Sequence, residues 1–402
     1  MKPTKSNEAV NPSNTGNSLS SLIYNPTFRS VVFQVLTVAV VGYFLYIIIN
    51  NTVTNLNDRG ISTGFGFLDR EAGFSIGLTL IDYDETYTFG RTFFVGLLNT
   101  ALVSVLGIIL ATIVGFIVGI ARLSSNWIVN KLAAVFIEIV RNVPPLLQIL
   151  FWYFAVLQAL PSARQSLSLG EAVFLNIRGL YFPKPVFENG SMFIAIAIII
   201  AVALSVGVYY WAKNKQKLTG EQTPVGRISL GLCVGLPLIA YFMAGMPISA
   251  DYPALRGFNF QGGITILPEL FALLIALGIF TAAFIAEIVR SGIEAVDHGQ
   301  TEASMALGIS HTKTLKLVVI PQAMRIIIPP LTSEYLNLTK NSSLAMAIGY
   351  PDLVSVFAGT TLNQTGQAIE IIFMTMGVYL GLSLLTSWLM NMYNNKVALV
   401  ER

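Results

Sequence analysis

The stretch T-E-A-S-M-A-L-G-I-S-H-T-K-T-L-K-L-V-V-I-P, Thr301–Pro321, stands apart from the chain around it. Two lysines, a glutamate, a histidine and several hydroxyls are interleaved with apolar residues; Gly308 sits in the middle and Pro321 closes it. The flanking segments Leu267–Val289 and Leu317–Tyr335 are apolar runs of the order of the ~20 residues that a bilayer crossing takes. The stretch therefore reads as a water-facing helix–turn–helix held between two spans. Glu302–Leu307 is expected to be helical, with Glu302 in a first turn that favours an acid. Gly308 is placed where a left-handed residue ends a helix at least cost. Ser310 is positioned to cap a second helix, which Pro321 should break or kink. Ala303 and Ala306 are small, so another surface could approach the first helix closely. A loop helix lying on the membrane surface is the competing reading.

Working outward, the composition places the stretch in a membrane protein. The chain has 402 residues, 54% hydrophobic and 11% charged, with mean hydropathy +0.68, whereas soluble domains carry about 25% charged residues. A formal charge of +3 and no basic run with interleaved aromatics argue against nucleic acid. The single cysteine, Cys233, excludes an intrachain disulfide and reads as a packing residue. Two histidines, His298 and His311, are too few for a His-based metal site; neither metal nor cofactor is expected. Gly308–Thr314 looks like a fragment of a phosphate-binding loop, but it lacks the glycine before the lysine and a preceding strand. No nucleotide site is visible.

Eight candidate spans emerge: Val31–Ile49, Thr92–Ile120, Leu132–Leu160, Met192–Trp211, Ile228–Met246, Leu267–Val289, Leu317–Tyr335 and Ile369–Met390. No small-residue cleavage site follows the first, so it reads as a retained anchor. Arg141, Pro144, Pro145, Arg325, Pro329 and Pro330 interrupt the third and seventh, whose continuity stays open. Fourteen Lys and Arg fall on the side of the N-terminus and seven on the other, which puts both termini in the cytoplasm. The expected organisation is a cytoplasmic tail at 1–30, its first 25 residues polar and disordered. An anchor follows at 31–49 and a periplasmic loop at 50–91. The first core part is 92–160, and 161–266 is an insertion with a periplasmic loop and two extra spans. The second core part is 267–390, with a loop at 291–317, and 391–402 is a cytoplasmic tail.

Glu302, Ala303, Gly308, Val318, Ile320 and Pro321 together form a pattern that resembles the cytoplasmic EAA loop of bacterial ABC-importer permeases. Ser304 for the second alanine, Leu315 for a common aromatic and Ile320 for leucine are mild departures. Three further segments, Ile137–Gln148, Phe284–Val296 and Lys340–Leu353, are similar to the polar-amino-acid branch. Asn57–Phe74, Arg178–Pro185 and the two extra spans resemble the long permeases of general L-amino-acid importers. The resemblance implies an all-α membrane protein of about eight transmembrane helices, with an importer-type permease core and a cytoplasmic coupling helix. It implies an inner-membrane location, cytoplasmic ATPase subunits gripping Glu302, Ala303, Gly308 and Pro321, a sister permease, and a periplasmic amino-acid-binding protein. ATP hydrolysis is then expected on the partner, and this chain is not expected to be an enzyme.

Glu-Ile-Val-Arg occurs twice, at Glu138–Arg141 and Glu287–Arg290. At i,i+3 on a helix each acid and base can touch. Charges in a span are costly and face protein or a water-filled path. An intrahelical pair with a snorkelling arginine is the simpler reading for the second copy. For the first, the adjacent Pro144-Pro145 suggests a broken helix lining a cavity. Glu138, Arg141 and the polar cluster Lys340, Asn341 and Ser342 are the candidates for bordering a translocation path, although the cluster could equally satisfy backbone at a helix break. The function expected is ATP-driven import of L-amino acids. A stand-alone secondary transporter or channel is the alternative. A membrane enzyme ranks last, because no nucleophile–base set stands out.

Overall fold

The computed structural model describes residues 26–58, 60 and 63–397. The polar tail expected over residues 1–25, Arg59 and the last five residues lie outside them. The chain divides into two compact units, Met1–Phe65 and Gly66–Arg402. In the first, α1 (Pro26–Asp58) is a 33-residue helix, longer than the expected anchor. Val31, Leu36, Tyr43 and Ile48 are all exposed along it, which suits a helix that is apolar all round and meets lipid.

The second unit contains α2 (Phe89–Arg122), α3 (Trp127–Asn142), α4 (Pro145–Leu157), α5 (Ser191–Thr219), α6 (Val225–Met243) and α7 (Pro268–Glu294). It continues with α8 (His298–Ala306), α9 (His311–Ile348), α10 (Val354–Thr361) and α11 (Ala368–Val397). Among the described residues seven helices are long and apolar enough to cross a membrane, or eight if α3 and α4 form one bent span. Seven of the eight expected segments each fall on one of these helices, and the third, Leu132–Leu160, is divided between α3 and α4.

The core forms where α2 and α7 lie side by side. Ala111, Gly115 and Gly119 recur every four residues on the buried face of α2, a small-residue stripe that lets two backbones approach. A Cβ on Gly115 would sit 2.6 Å from the Ile285 Cβ, and one on Gly119 would sit 2.7 Å from the Ala286 carbonyl oxygen. Ile285, Val289, Ala323, Ile327 and Leu338 close the lower part of this core.

The third span is broken: α3 and α4 meet at 105°. Pro144 caps α4 and Pro145 occupies its first turn. Neither proline has an N–H to donate, so α3 ends with unclaimed carbonyls. The Gln148 amide donates to two of them, Val140 O at 2.8 Å and Val143 O at 3.0 Å. This accounting lets irregular backbone persist inside a membrane protein. The seventh span, in contrast, is continuous. Pro329 and Pro330 lie inside the helix that runs to Asn341, and Pro321 sits in its first turn rather than ending it. The expected break at Pro321 is replaced by a π-helical turn over Leu315–Val319, which takes up the missing donor by widening the turn before it.

A buried polar node ties the upper ends together. Asn99 on α2 donates to Leu78 O and Pro351 O, each at 2.8 Å. Thr100 accepts from the Leu353 N–H at 3.0 Å. Asp352 accepts from the Ser355 N–H at 2.8 Å and from the Tyr379 hydroxyl of α11 at 3.2 Å.

The insertion between α4 and α7 adds a feature that the sequence reading did not foresee. Besides the hairpin α5–α6 it carries eight short strands among the described residues: β1 Leu167–Leu169, β2 Val173–Asn176, β3 Gly179–Phe182, β4 Lys184–Phe187, β5 Ile248–Asp251, β6 Ala254–Arg256, β7 Asn259–Gln261 and β8 Ile264–Ile266. They form an antiparallel sheet in the order β1-β2-β3-β8, a long-range two-stranded ladder β4-β5 across the base of the helical hairpin, and a short hairpin β6-β7. Strands of three or four residues are too short to show alternation in a sequence. Phe174, Tyr181 and Phe260 stack into a small core beneath the sheet.

Candidate functional site

The polar prong begins at Asp297. Its carboxylate accepts the Gly299 N–H at 2.7 Å and caps α8. Glu302 therefore lies beyond the first turn, and the expected dipole contribution passes from Glu302 to Asp297. At the other end, Gly308 adopts φ +73°. Its N–H reaches Met305 O at 2.9 Å, and the Ile309 N–H reaches Ser304 O at 3.1 Å. These two bonds are the Schellman closure that a glycine after a helix permits. Ser310 occupies the N-cap position of the next helix, but its side chain makes no capping bond. The capping role expected of it is not filled.

The result is a nine-residue helix closed at both ends. Ser304 is buried, with its hydroxyl on Gln300 O, and Gln322 of α9 donates to the Gln300 side chain at 3.3 Å. One face is thus fastened to α9. Glu302, Ala303 and Ala306 lie exposed on the other side, with Met305 at 47% and Leu307 at 80% exposure. Leu307 stands almost wholly in solvent on a rigid turn, which is costly for a leucine unless a partner covers it. Pro321 lies at the base, in the first turn of the α-helix that follows the π-turn.

The second candidate group converges where α2, α3 and α7 meet. Arg122, Glu138, Arg141, Glu287 and Arg290 line one cavity of about 250 Å³. Arg290 is clamped: its Nε donates to Glu287 at 3.1 Å, and its two terminal nitrogens reach Glu287 and Glu294. Arg122 donates to the Asn130 side chain at 2.6 Å. Glu138 and Arg141, although spaced i,i+3, form no ion pair among the described residues. Arg141 is exposed to the cavity, and its guanidinium stands 4.9 Å from the centre of the Phe284 ring. A cation held against an aromatic face keeps its in-plane donors free.

The Lys340 cluster does not join this cavity. Ser342 is fully buried and its hydroxyl returns to Thr339 O at 2.7 Å. Asn341 is half-buried at the end of an α-helical run. Lys340 is exposed and lines a separate cavity of about 580 Å³ with Val354, Thr375 and Tyr379. Glu334, a half-buried acid on α9, was not among the expected residues. A lone carboxylate in an apolar span was the signal that could have found it.

Residues 228–399 match the family described as "Binding-protein-dependent transport system inner membrane component". The chain is 56% identical to a putative amino-acid ABC transporter permease protein of Escherichia coli, YhdX, over 94% of this chain and 96% of that one. It is 50% identical to AapQ, a general L-amino acid transport system permease protein of Rhizobium johnstonii, over 96% and 97%. It is 40% identical to BztB of Rhodobacter capsulatus, a permease protein for glutamate, glutamine, aspartate and asparagine, over 98% and 99%.

Proposed function

The chain belongs to the amino-acid permeases of the binding-protein-dependent inner-membrane transport systems, and from that membership we propose how its parts divide the work. It is a multi-pass inner-membrane subunit of an ABC importer of amino acids. ATP hydrolysis and substrate capture then belong to partner proteins, a cytoplasmic ATPase and a periplasmic binding protein. The family membership favours this reading over a stand-alone secondary transporter.

Within it, we assign the ATPase contact to the prong 298–308, with Glu302, Ala303 and Gly308 on the helix and its closure and Pro321 at its base. The observation that carries the assignment is the exposed Leu307 on a turn closed by two hydrogen bonds. A short helix fixed at both ends moves as one body, so closure of the ATPases can tilt α9 through it. Both termini are assigned to the cytoplasm from the charge bias, together with the loop 291–317. The outward-facing assignments of 50–91 and of the loop within 161–266 follow. A sister permease is the expected partner in the membrane, by analogy with the long permeases that this chain resembles.

We assign the path to Glu138, Arg141, Lys340, Asn341 and Ser342, with unequal roles. Arg141 offers donors to a carboxylate, and Glu138 in the same cavity offers an acceptor to an ammonium. These are the two groups that all L-amino acids share, so the pair suits a carrier of broad range. Lys340 supplies a second cationic station, while Ser342 and Asn341 serve the helix end between.

Gly308→Asp tests the prong. Open space around Gly308 leaves room for the side chain, so the strain falls on the left-handed backbone and the added charge on the negative end of α8. The variant should insert normally yet lose the ATPase on purification and lose uptake. Normal uptake would remove the prong from the coupling role.

A further inference from the structure

The hairpin α5–α6 carries a cavity that the transport cycle described above does not use. It measures about 420 Å³ and lies at the hairpin's turn. Tyr209, Lys213 and Gln216 line it from α5, and Gln222, Thr223 and Val225 from the turn and α6. The lining residues thus carry an ammonium, two amides and two hydroxyls, and no carboxylate. The acid nearest in sequence, Glu221, is bound to Lys215 at 2.8 Å. That hydrogen bond holds the Glu221 carboxyl below the usual range, so it is ionised at neutral pH and spends its charge on Lys215. Lys213 has no ion pair among the described residues. The Thr223 hydroxyl oxygen is buried without a hydrogen-bond partner, and such an atom in a native fold calls for one. A cation among neutral donors selects an anion.

What borders the cavity narrows the anion further. α5 and α6 pack on each other, yet only Ala201 and Ala212 are buried along them. Val206 and Tyr210 on α5 and Leu230 on α6 are 49%, 62% and 66% exposed. Tyr209, Tyr210 and Trp211 form an aromatic group at the same level, the side-chain type that sits at headgroup depth in a bilayer. A polar, cationic cleft at the turn of a hairpin whose helices stay apolar and exposed matches a molecule with an anionic head and hydrocarbon tails. A soluble phosphate shares the head chemistry and leaves the apolar faces unoccupied.

We propose that the α5–α6 turn binds the headgroup phosphate of an anionic phospholipid, with Lys213 facing the phosphate and the acyl chains lying along the hairpin. Native mass spectrometry of the intact transporter complex, titrated in detergent with phosphatidylglycerol, phosphatidylcholine or inorganic phosphate, tests it. Phosphatidylglycerol should be retained in preference to phosphatidylcholine. Lys213→Gln should lower that retention about fivefold, the effect of about 1 kcal/mol for a lysine at an anionic surface, and leave phosphatidylcholine unchanged. Lys217→Gln removes the same charge outside the cavity and should change retention by less than about twofold. Equal retention of the two lipids, equal losses in the two lysine variants, or displacement of phosphatidylglycerol by millimolar inorganic phosphate would each overturn the proposal. The last result would reassign the cavity to a soluble anion.

Discussion

Two copies of Glu-Ile-Val-Arg face the same cavity and behave differently. In the second copy α7 continues past Arg290, so Glu287 and Glu294 both lie on its face and both bind it. In the first copy α3 ends at Asn142 and two prolines follow. No acid can stand one turn beyond Arg141, which lies against Phe284 instead. The same four residues thus have a second acid, Glu294, one turn on where the helix continues, and none where it stops. A charge motif acquires its role from the backbone that continues it.

The comparison breaks most readily at the arginines. Arg141→Ala should reduce initial uptake about tenfold or more at equal membrane abundance, because a charge-assisted hydrogen bond contributes about 1.5–3 kcal/mol. Arg290→Ala should cost less uptake than Arg141→Ala. Radiolabelled amino-acid uptake by the two variants decides the matter, and the reverse ranking would show that the clamped arginine, not the open one, serves the substrate. Gln148→Leu probes the helix stop itself. It removes the donor to the carbonyls of Val140 and Val143, and a lost hydrogen bond costs about 0.5–1.5 kcal/mol. A lowered thermal midpoint in detergent is expected; an unchanged one would mean that the break needs no such support. The smallest effect belongs to Glu294→Gln. The Glu294 side chain is 52% exposed, so losing its pairing should cost less than about 1 kcal/mol and leave uptake close to normal, with Glu287 still holding Arg290.

The prong shows how far local chemistry could be read in advance. Gly308 was legible because a glycine after a short amphipathic run has few other reasons to be there, and the structure gives it φ +73°. The start of the same helix was not legible. Asp297 and Glu302 are both acids near a helix start, and only the observed boundary at His298 shows which one caps. Pro321 misled for a related reason. A proline's missing N–H can be accommodated by a π-turn ahead of it, and no residue between Leu315 and Val319 announces one.

By itself the sequence determined the solvent. Eight long apolar runs cannot dissolve in water, and a polar helix–turn–helix between two of them must lie outside the bilayer. It determined the family resemblance as well, because Glu302, Ala303, Gly308 and Pro321 are consecutive enough to be read along one segment. Only the tertiary structure decided which charges pair, which cavity each lines, and that α3 and α4 turn through 105°. It alone showed that Gly115 and Gly119 meet α7, and that β3 and β4 from 179–187 pair with β8 and β5 from 248–266. The physical reason is range. Hydropathy, capping and glycine conformation act within a few residues, whereas an ion pair, a helix crossing or a strand ladder joins residues far apart in the chain, so packing decides it.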